Sequence, residues 1–241
     1  MKKHIPNIIT LLNLVSGILS IYLYANNNIE MAAWFIFIAA IFDFLDGFAA
    51  KILDAKSDIG AQLESLCDIV SFGVAPGFIL FYMIDVSIDQ YGDYPNNLFI
   101  LPFLAFLIPV FGALRLAIFN TDDEQVTSFK GLPIPAMAIL IASLPLIRSE
   151  LYAESSMLYA IITNTYFLLT VAVLGSLLMV SRLPMFALKF QGIDFNRNKT
   201  RYLFLLLSLF MLIFLEVVAI PFIILLYVLM SLTIFLYDLK K

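Results

Sequence analysis

Four carboxylates stand inside segments otherwise made of apolar side chains: Asp43, Asp46, Glu64 and Asp68. An unpaired carboxylate in bilayer hydrocarbon costs about 2.5–3.5 kcal/mol even on the lenient insertion scale, so four of them need compensation. Asp43 and Asp46 are three apart and share one helix face, while Gly60, Glu64 and Asp68 are spaced by four and share a face of the next helix. The short loop 52–59 makes these helices neighbours, so the two acidic faces can point at each other. Carboxylates that close repel strongly without a cation. All-oxygen ligands suit hard ions, Mg²⁺ or Mn²⁺, with Ca²⁺ a further choice. Four carboxylates can hold one such ion or a pair, and pairs activate phosphoryl chemistry. Pairing with Lys51, Lys56 and Arg115 is the other way to compensate, but three cations would neutralise the site only in part. Gly47 and Ala50 follow Asp43 and Asp46 by one turn, and Gly60 precedes Glu64 by one turn. Small residues there would let a substrate approach the backbone closely. They would equally serve helix packing.

The elements that position these residues must be membrane helices. Of 241 residues, 62% are hydrophobic and 13% charged, against roughly a quarter charged in soluble domains. Long apolar runs without alternating polarity exclude a soluble enzyme, a disordered chain and a membrane barrel. The expectation is an all-α, polytopic integral membrane bundle forming a single membrane domain over 1–241, with about eight spans. These run 5–25, 31–52, 59–83, 97–120, 133–148, 156–181, 202–218 and 220–238, the last two forming a hairpin marked by Glu216 and Pro221. A net charge of −4 gives no reason to expect nucleic acid as a partner, and Cys67 alone cannot form an internal disulfide.

Basic residues set the orientation. With the N-terminus in the cytoplasm, thirteen of the fourteen Lys and Arg residues fall on the cytoplasmic side and only Arg148 falls outside. Both termini are then cytoplasmic. The segment 182–200 is the longest cytoplasmic connection. With Met185, Phe186, Leu188 and Phe190 interspersed with Arg182 and Lys189, it reads equally as a headgroup-layer segment or an ordinary loop. Arg115 and Lys130 flank the loop between the fourth and fifth spans and could hold a carboxylate or phosphate, or simply anchor the chain at the headgroups. A cation transporter is the competing function class. Depth argues against it: Asp46 is five residues from Lys51 and Glu64 six from Asp58, which is ~8–9 Å of helix. Transport sites sit nearer the midplane.

The stretch Asp43-x-x-Asp46-Gly47-x-x-Ala50-Lys51, eight residues, then Gly60-x-x-x-Glu64-x-x-x-Asp68 resembles the signature of the CDP-alcohol phosphatidyltransferases. Two positions depart from it, since the family usually has Arg at Lys51 and Asp at Glu64. Further stretches are similar to one branch, the phosphatidylserine synthases. They are Pro6-Asn7-x-x-Thr10-x-x-Asn13, Ser65-Leu66-Cys67-Asp68, Ser71 to Pro76, Leu114 to Asn120, and Phe129 to Pro133. The likeness covers roughly 5–140.

The resemblance implies a six-helix catalytic core over 5–181, with 202–238 as an accessory hairpin, and a homodimer in the cell inner membrane with its site near the cytoplasmic face. It implies attack of an alcohol on the lipid-bearing phosphate of CDP-diacylglycerol, with CMP leaving. Asp43, Asp46, Glu64 and Asp68 would hold metal, a pair of ions, and Asp68 would also act as general base. Gly47, Ala50, Lys51 and Gly60, with Asn7 and Thr10, would hold CDP-diacylglycerol, and Arg115 and Lys130 the serine or a phosphate. L-serine as the acceptor rests on resemblance alone. Glycerol 3-phosphate, inositol phosphate or choline would use the same chemistry.

Overall fold

A computed structural model describes residues 4–55, 57–90, 98–121, 129–153, 156–186 and 195–238. Nearly all of this is helix, as lipid demands: a helix satisfies its own backbone polar groups where no water can. Six helical stretches among the described residues are long and apolar enough to cross a membrane: Ile5–Ala25, Ile29–Ile52, Asp58–Asp89, Ile100–Thr121, Ile134–Leu151 and Asn198–Tyr237. The protein is an all-α polytopic membrane protein.

Helices α1 (Ile5–Ala25) and α2 (Ile29–Ile52) form a hairpin. Asn27 turns the chain at φ 60°, and the Asn28 side chain accepts from the Met31 N–H at 3.3 Å, capping α2. Ser20 Oγ on α1 donates to the Ala32 carbonyl at 2.7 Å and ties the pair. Asp54, at φ 47°, turns the chain out of α2, and Ser57 Oγ caps the next helix by accepting from Gly60 N–H at 3.1 Å. That helix runs through α3 (Asp58–Asp68), a π-turn (Ile69–Val74) and α4 (Ala75–Gln90). A 3₁₀ stretch (Leu98–Phe106) containing Pro102 leads into α5 (Leu107–Thr121). Strand β1 (Phe129–Lys130) precedes α6 (Ile134–Leu151), α7 (Met157–Ile162) and α8 (Thr165–Met179). Strand β2 (Pro184–Met185), α9 (Phe195–Leu215), a 3₁₀ turn (Glu216–Val218) and α10 (Ala219–Asp238) complete the chain. The core lies where α2, α4, α5 and α6 meet, around Ile36, Ile79, Leu80, Ile108, Ile134 and Met137. Leu206, Phe210, Ile213 and Phe214 on α9 face outward, as lipid-facing residues must.

Six stretches rather than eight are long enough to cross, for local reasons, although the described residues of the eight expected spans are mostly helical. The sixth is broken: the Asn164 side chain accepts from the N–H groups of Tyr166 at 2.9 Å and Phe167 at 3.2 Å, starting α8 afresh. The last two lie in one helical stretch bent at Glu216, whose φ is 48°. The rings of Phe204 and Tyr227 lie 5.7 Å apart, so α9 and α10 run back along each other. Pro221 sits in the first turn of α10, where a missing N–H costs nothing.

The antiparallel pair β1–β2, with Phe129 opposite Met185 and Lys130 opposite Pro184, was not expected. Its second strand occupies the start of the segment expected at the headgroups or as a loop, and Met185 is buried in the core. Leu188, Lys189 and Phe190 of that segment, and Lys56, lie outside the described residues.

Candidate active site

The site is built on a polar stripe along α1. Thr10, Asn13, Ser16 and Ser20 recur at helical spacing and are buried. Asn13 Nδ2 donates to Asp68 Oδ1 at 3.0 Å, and Ser71 Oγ donates back to the Asn13 carbonyl at 3.0 Å. Gly17 lets the helices come this close, since a Cβ there would stand 2.6 Å from Ser71 Oγ. Asp68 is the last residue before the π-turn, and Ser71 lies within it. Such turns are rare and collect at functional sites.

On the facing helices, Asp43, Asp46 and Glu64 offer ligand oxygens that all lie within 4.8 Å of one another, a set that could hold a metal ion. Asp46 is 3% exposed, and its Oδ2 is buried with no hydrogen-bond partner. A buried, unsatisfied carboxylate oxygen inside an all-oxygen donor set fits a hard divalent cation. Asp68, 6% exposed, stands beside this trio and lines the same cavity as Asp43 and Glu64.

Two cavities meet at these carboxylates, and a third adjoins the second at Arg115 and Phe119. The first, about 280 Å³, is lined by Asn7, Thr10, Gly47, Ala50 and Gly60 together with Asp46 and Glu64. Its walls are small residues on helix backbones. Gly47 has no atom within 4 Å of where a Cβ would stand, so helix packing does not explain this glycine and open cavity does. At Gly60 a Cβ would press against Ser57 Oγ at 3.1 Å and Asn7 Oδ1 at 3.2 Å. The second cavity, about 390 Å³, holds Asp43, Glu64, Asp68 and Arg115, with Tyr227 on its wall. The third, about 370 Å³, gathers Arg115, Lys130 and Arg182. Arg115 is 8% exposed, its guanidinium stands 5.8 Å from the centre of the Phe119 ring, and its Nε has no partner.

The structure thus brings Asn7, Thr10, Asp43, Asp46, Gly47, Ala50, Gly60, Glu64, Asp68, Arg115 and Lys130 around adjoining cavities. Lys51 is exposed and lines none of the three. Sequence reasoning placed Asn13 and Asn120 in family-like stretches and Arg182 at the headgroups, but gave none of them, nor Tyr227, a role in the site. Asn120 Nδ2 donates to Ser65 Oγ at 2.9 Å beside the second cavity. Asn13 carried a readable signal, a third polar residue at helical spacing with Asn7 and Thr10.

Comparison with known proteins agrees with this geometry. Residues 3–174 match the family model described as CDP-alcohol phosphatidyltransferase, and the chain belongs to that family. It is 32% identical over 181 residues to a CDP-diacylglycerol–serine O-phosphatidyltransferase of Helicobacter pylori (strain ATCC 700392 / 26695), covering 74% of this chain and 70% of the relative. A Bacillus subtilis (strain 168) protein of the same name is 37% identical over 147 residues, 58% of this chain and 76% of that one. An archaetidylserine synthase of Methanothermobacter thermautotrophicus is 35% identical over 161 residues, 66% of this chain and 64% of that one.

Proposed function

We propose that the protein transfers the phosphatidyl group of CDP-diacylglycerol to the hydroxyl of L-serine, giving phosphatidylserine and CMP. The observation that carries this reading is the partition of the site. Glu64 lines both the small-residue cavity and the cavity of Asp68 and Arg115, so the carboxylates stand between two compartments of different character. One compartment suits a nucleotide laid against helix backbones, and the other suits an acceptor with an anionic group. The relatives' names support serine: two carry serine with phosphatidyl transfer and one carries archaetidylserine, so the lipid differs while serine recurs.

A hydroxyl is a poor nucleophile until a base takes its proton. Asp68 is the base in this reading, and Asn13 fixes one of its oxygens. The serine oxygen then bonds to the phosphorus bearing diacylglycerol, the bond from that phosphorus to the bridging oxygen of CMP breaks, and CMP departs. A Mg²⁺ or Mn²⁺ ion, or a pair, held by Asp43, Asp46, Glu64 and Asp68 would neutralise the diphosphate. Arg115 and Lys130 receive the serine carboxylate. Lys51, Arg115, Lys130 and Arg182 fall on the side expected to be cytoplasmic, where serine and CMP are soluble, while the acyl chains stay in the bilayer.

The test supplies purified protein with CDP-diacylglycerol, Mg²⁺ or Mn²⁺ and a panel of alcohols, and measures CMP release. Serine should give the highest rate, and chelation of the metal should abolish it. The cations of the third cavity would also suit a phosphorylated alcohol. Preference for glycerol 3-phosphate or inositol phosphate would move the acceptor while leaving the chemistry in place.

A further inference from the structure

Tyr227 lies on α10, well beyond residue 174 where the family match ends. It is 7% exposed and lines the cavity of Asp43, Asp68 and Arg115. Its ring packs against Phe186 at 4.9 Å and Phe204 at 5.7 Å, and its hydroxyl donates to the Phe186 carbonyl at 3.1 Å. One turn on, Ser231 Oγ accepts from the Phe186 N–H at 3.4 Å and donates to the Tyr227 carbonyl at 2.8 Å. Both backbone groups of Phe186 are therefore held by α10.

Phe186 directly follows β2, and β2 pairs with β1, which carries Lys130. Arg182 lies just before β2. The adjoining Gly131 N–H donates to the Leu183 carbonyl at 2.9 Å, and Leu132 N–H to the Leu178 carbonyl at 3.1 Å. Gly131 has φ 75°, and a Cβ there would collide with the Met179 carbonyl, so this junction admits glycine alone without rearrangement. Lys130 and Arg182 thereby reach the cavity they share with Arg115. A guanidinium this buried with an unpartnered Nε calls for an anion.

We infer that the C-terminal hairpin is part of the acceptor site: Tyr227 walls the cavity of Asp68 and Arg115 and, through Phe186, holds the strand pair that brings Lys130 and Arg182 to Arg115. Tyr227 is a positioning residue. The inference deepens the proposed function and rests on its assignment of this compartment to the acceptor. The nucleotide-side cavity is lined by α1, α2, α3 and the loop between the last two, with no residue of α10. The two substrates should therefore respond differently to changes at Tyr227.

The test measures both KM values and melting temperature for wild type, Tyr227→Ala, Tyr227→Phe and Ser231→Ala. Displacing positioning groups by about an ångström can cost up to ~10²-fold. Tyr227→Ala should raise the acceptor KM at least ~10-fold and leave the CDP-diacylglycerol KM within ~2-fold. Tyr227→Phe keeps the ring and should recover most of the loss. Stabilisation by inorganic phosphate, a probe of the three cations, should vanish in Tyr227→Ala, while stabilisation by CDP with Mg²⁺ persists. Should Tyr227→Ala not fold, Ser231→Ala gives the same split at smaller size. Equal rises in both KM values, or unchanged acceptor KM and phosphate stabilisation, would overturn the inference. Wild type using another alcohol in place of serine overturns only the choice of serine, and the split is then read with that alcohol. Wild type inert with every alcohol overturns the proposed function, and the phosphate comparison then decides the inference alone.

Discussion

Asp43, Asp46, Glu64 and Asp68 come from 26 consecutive residues, whereas Arg115, Lys130, Arg182 and Tyr227 are drawn from more than a hundred. The acidic wall needs only two helices, one capped loop and the α1 stripe that locks Asp68. The cationic wall needs α5, the β1–β2 pair, the glycine junction at the end of α8, and a hairpin that clamps the pair from outside. The first is set by local periodicity, so its residues move together. The second is set by tertiary contacts between distant segments, so each contact is a separate point of failure. Substitutions on the first wall should therefore alter chemistry or nucleotide binding. Substitutions supporting the second should alter acceptor binding without touching the nucleotide.

Asp68→Asn offers the largest break. It keeps size and shape but removes the proposed base, and kcat should fall by at least ~10²-fold, the low end for loss of a general base. Near-normal CMP release at saturating substrates would take Asp68 out of the mechanism. Glu64→Gln comes next. It removes one charge from the oxygen trio, and the Mg²⁺ concentration for half-maximal activity should rise about tenfold or more, comparable to losses at other metal sites. Glu64→Asp should keep much of the activity, because a carboxylate remains at the family's usual residue type. An unchanged Mg²⁺ titration of Glu64→Gln would show that three aspartates suffice. Gly47→Leu is the mildest and the sharpest in discrimination. Open space around Gly47 means the fold should tolerate the side chain. The leucine would fill part of a cavity of about 280 Å³, so the CDP-diacylglycerol KM should rise several-fold to tenfold with the acceptor KM unchanged. A rise in the acceptor KM instead would reverse the assignment of the two compartments.

The acidic wall was legible in the sequence because charge is costly in a membrane helix, so each carboxylate at i, i+3 or i+4 stands out from an apolar background. The cationic wall was legible only in part. Arg182 sits where the positive-inside rule already expects a cation, so its position carried no further message. Tyr227 lies within a run of apolar residues where an aromatic ring is unexceptional. Strands of two residues are too short for alternation to register. The interruption of the sixth span did have a signal, since Thr163-Asn164-Thr165 is a polar triplet inside an apolar run and Asn is a strong N-cap. Counting hydrophobic length passed over it.

The π-turn at Ile69–Val74 divides one membrane-crossing helix into two parts that are out of phase. In an α-helix each residue advances the face by about 100°, so a wider turn dials everything downstream to a new azimuth. Upstream, Glu64 and Asp68 face the second cavity. Downstream, Ile79, Leu80 and Ile84 aim at the buried interior. An unbroken α-helix would present the downstream face at a different azimuth relative to Glu64 and Asp68. The turn works as a coupling between two shafts set at different angles. The residues that line the cavity and the residues that pack could then diversify along one span without forcing each other's direction.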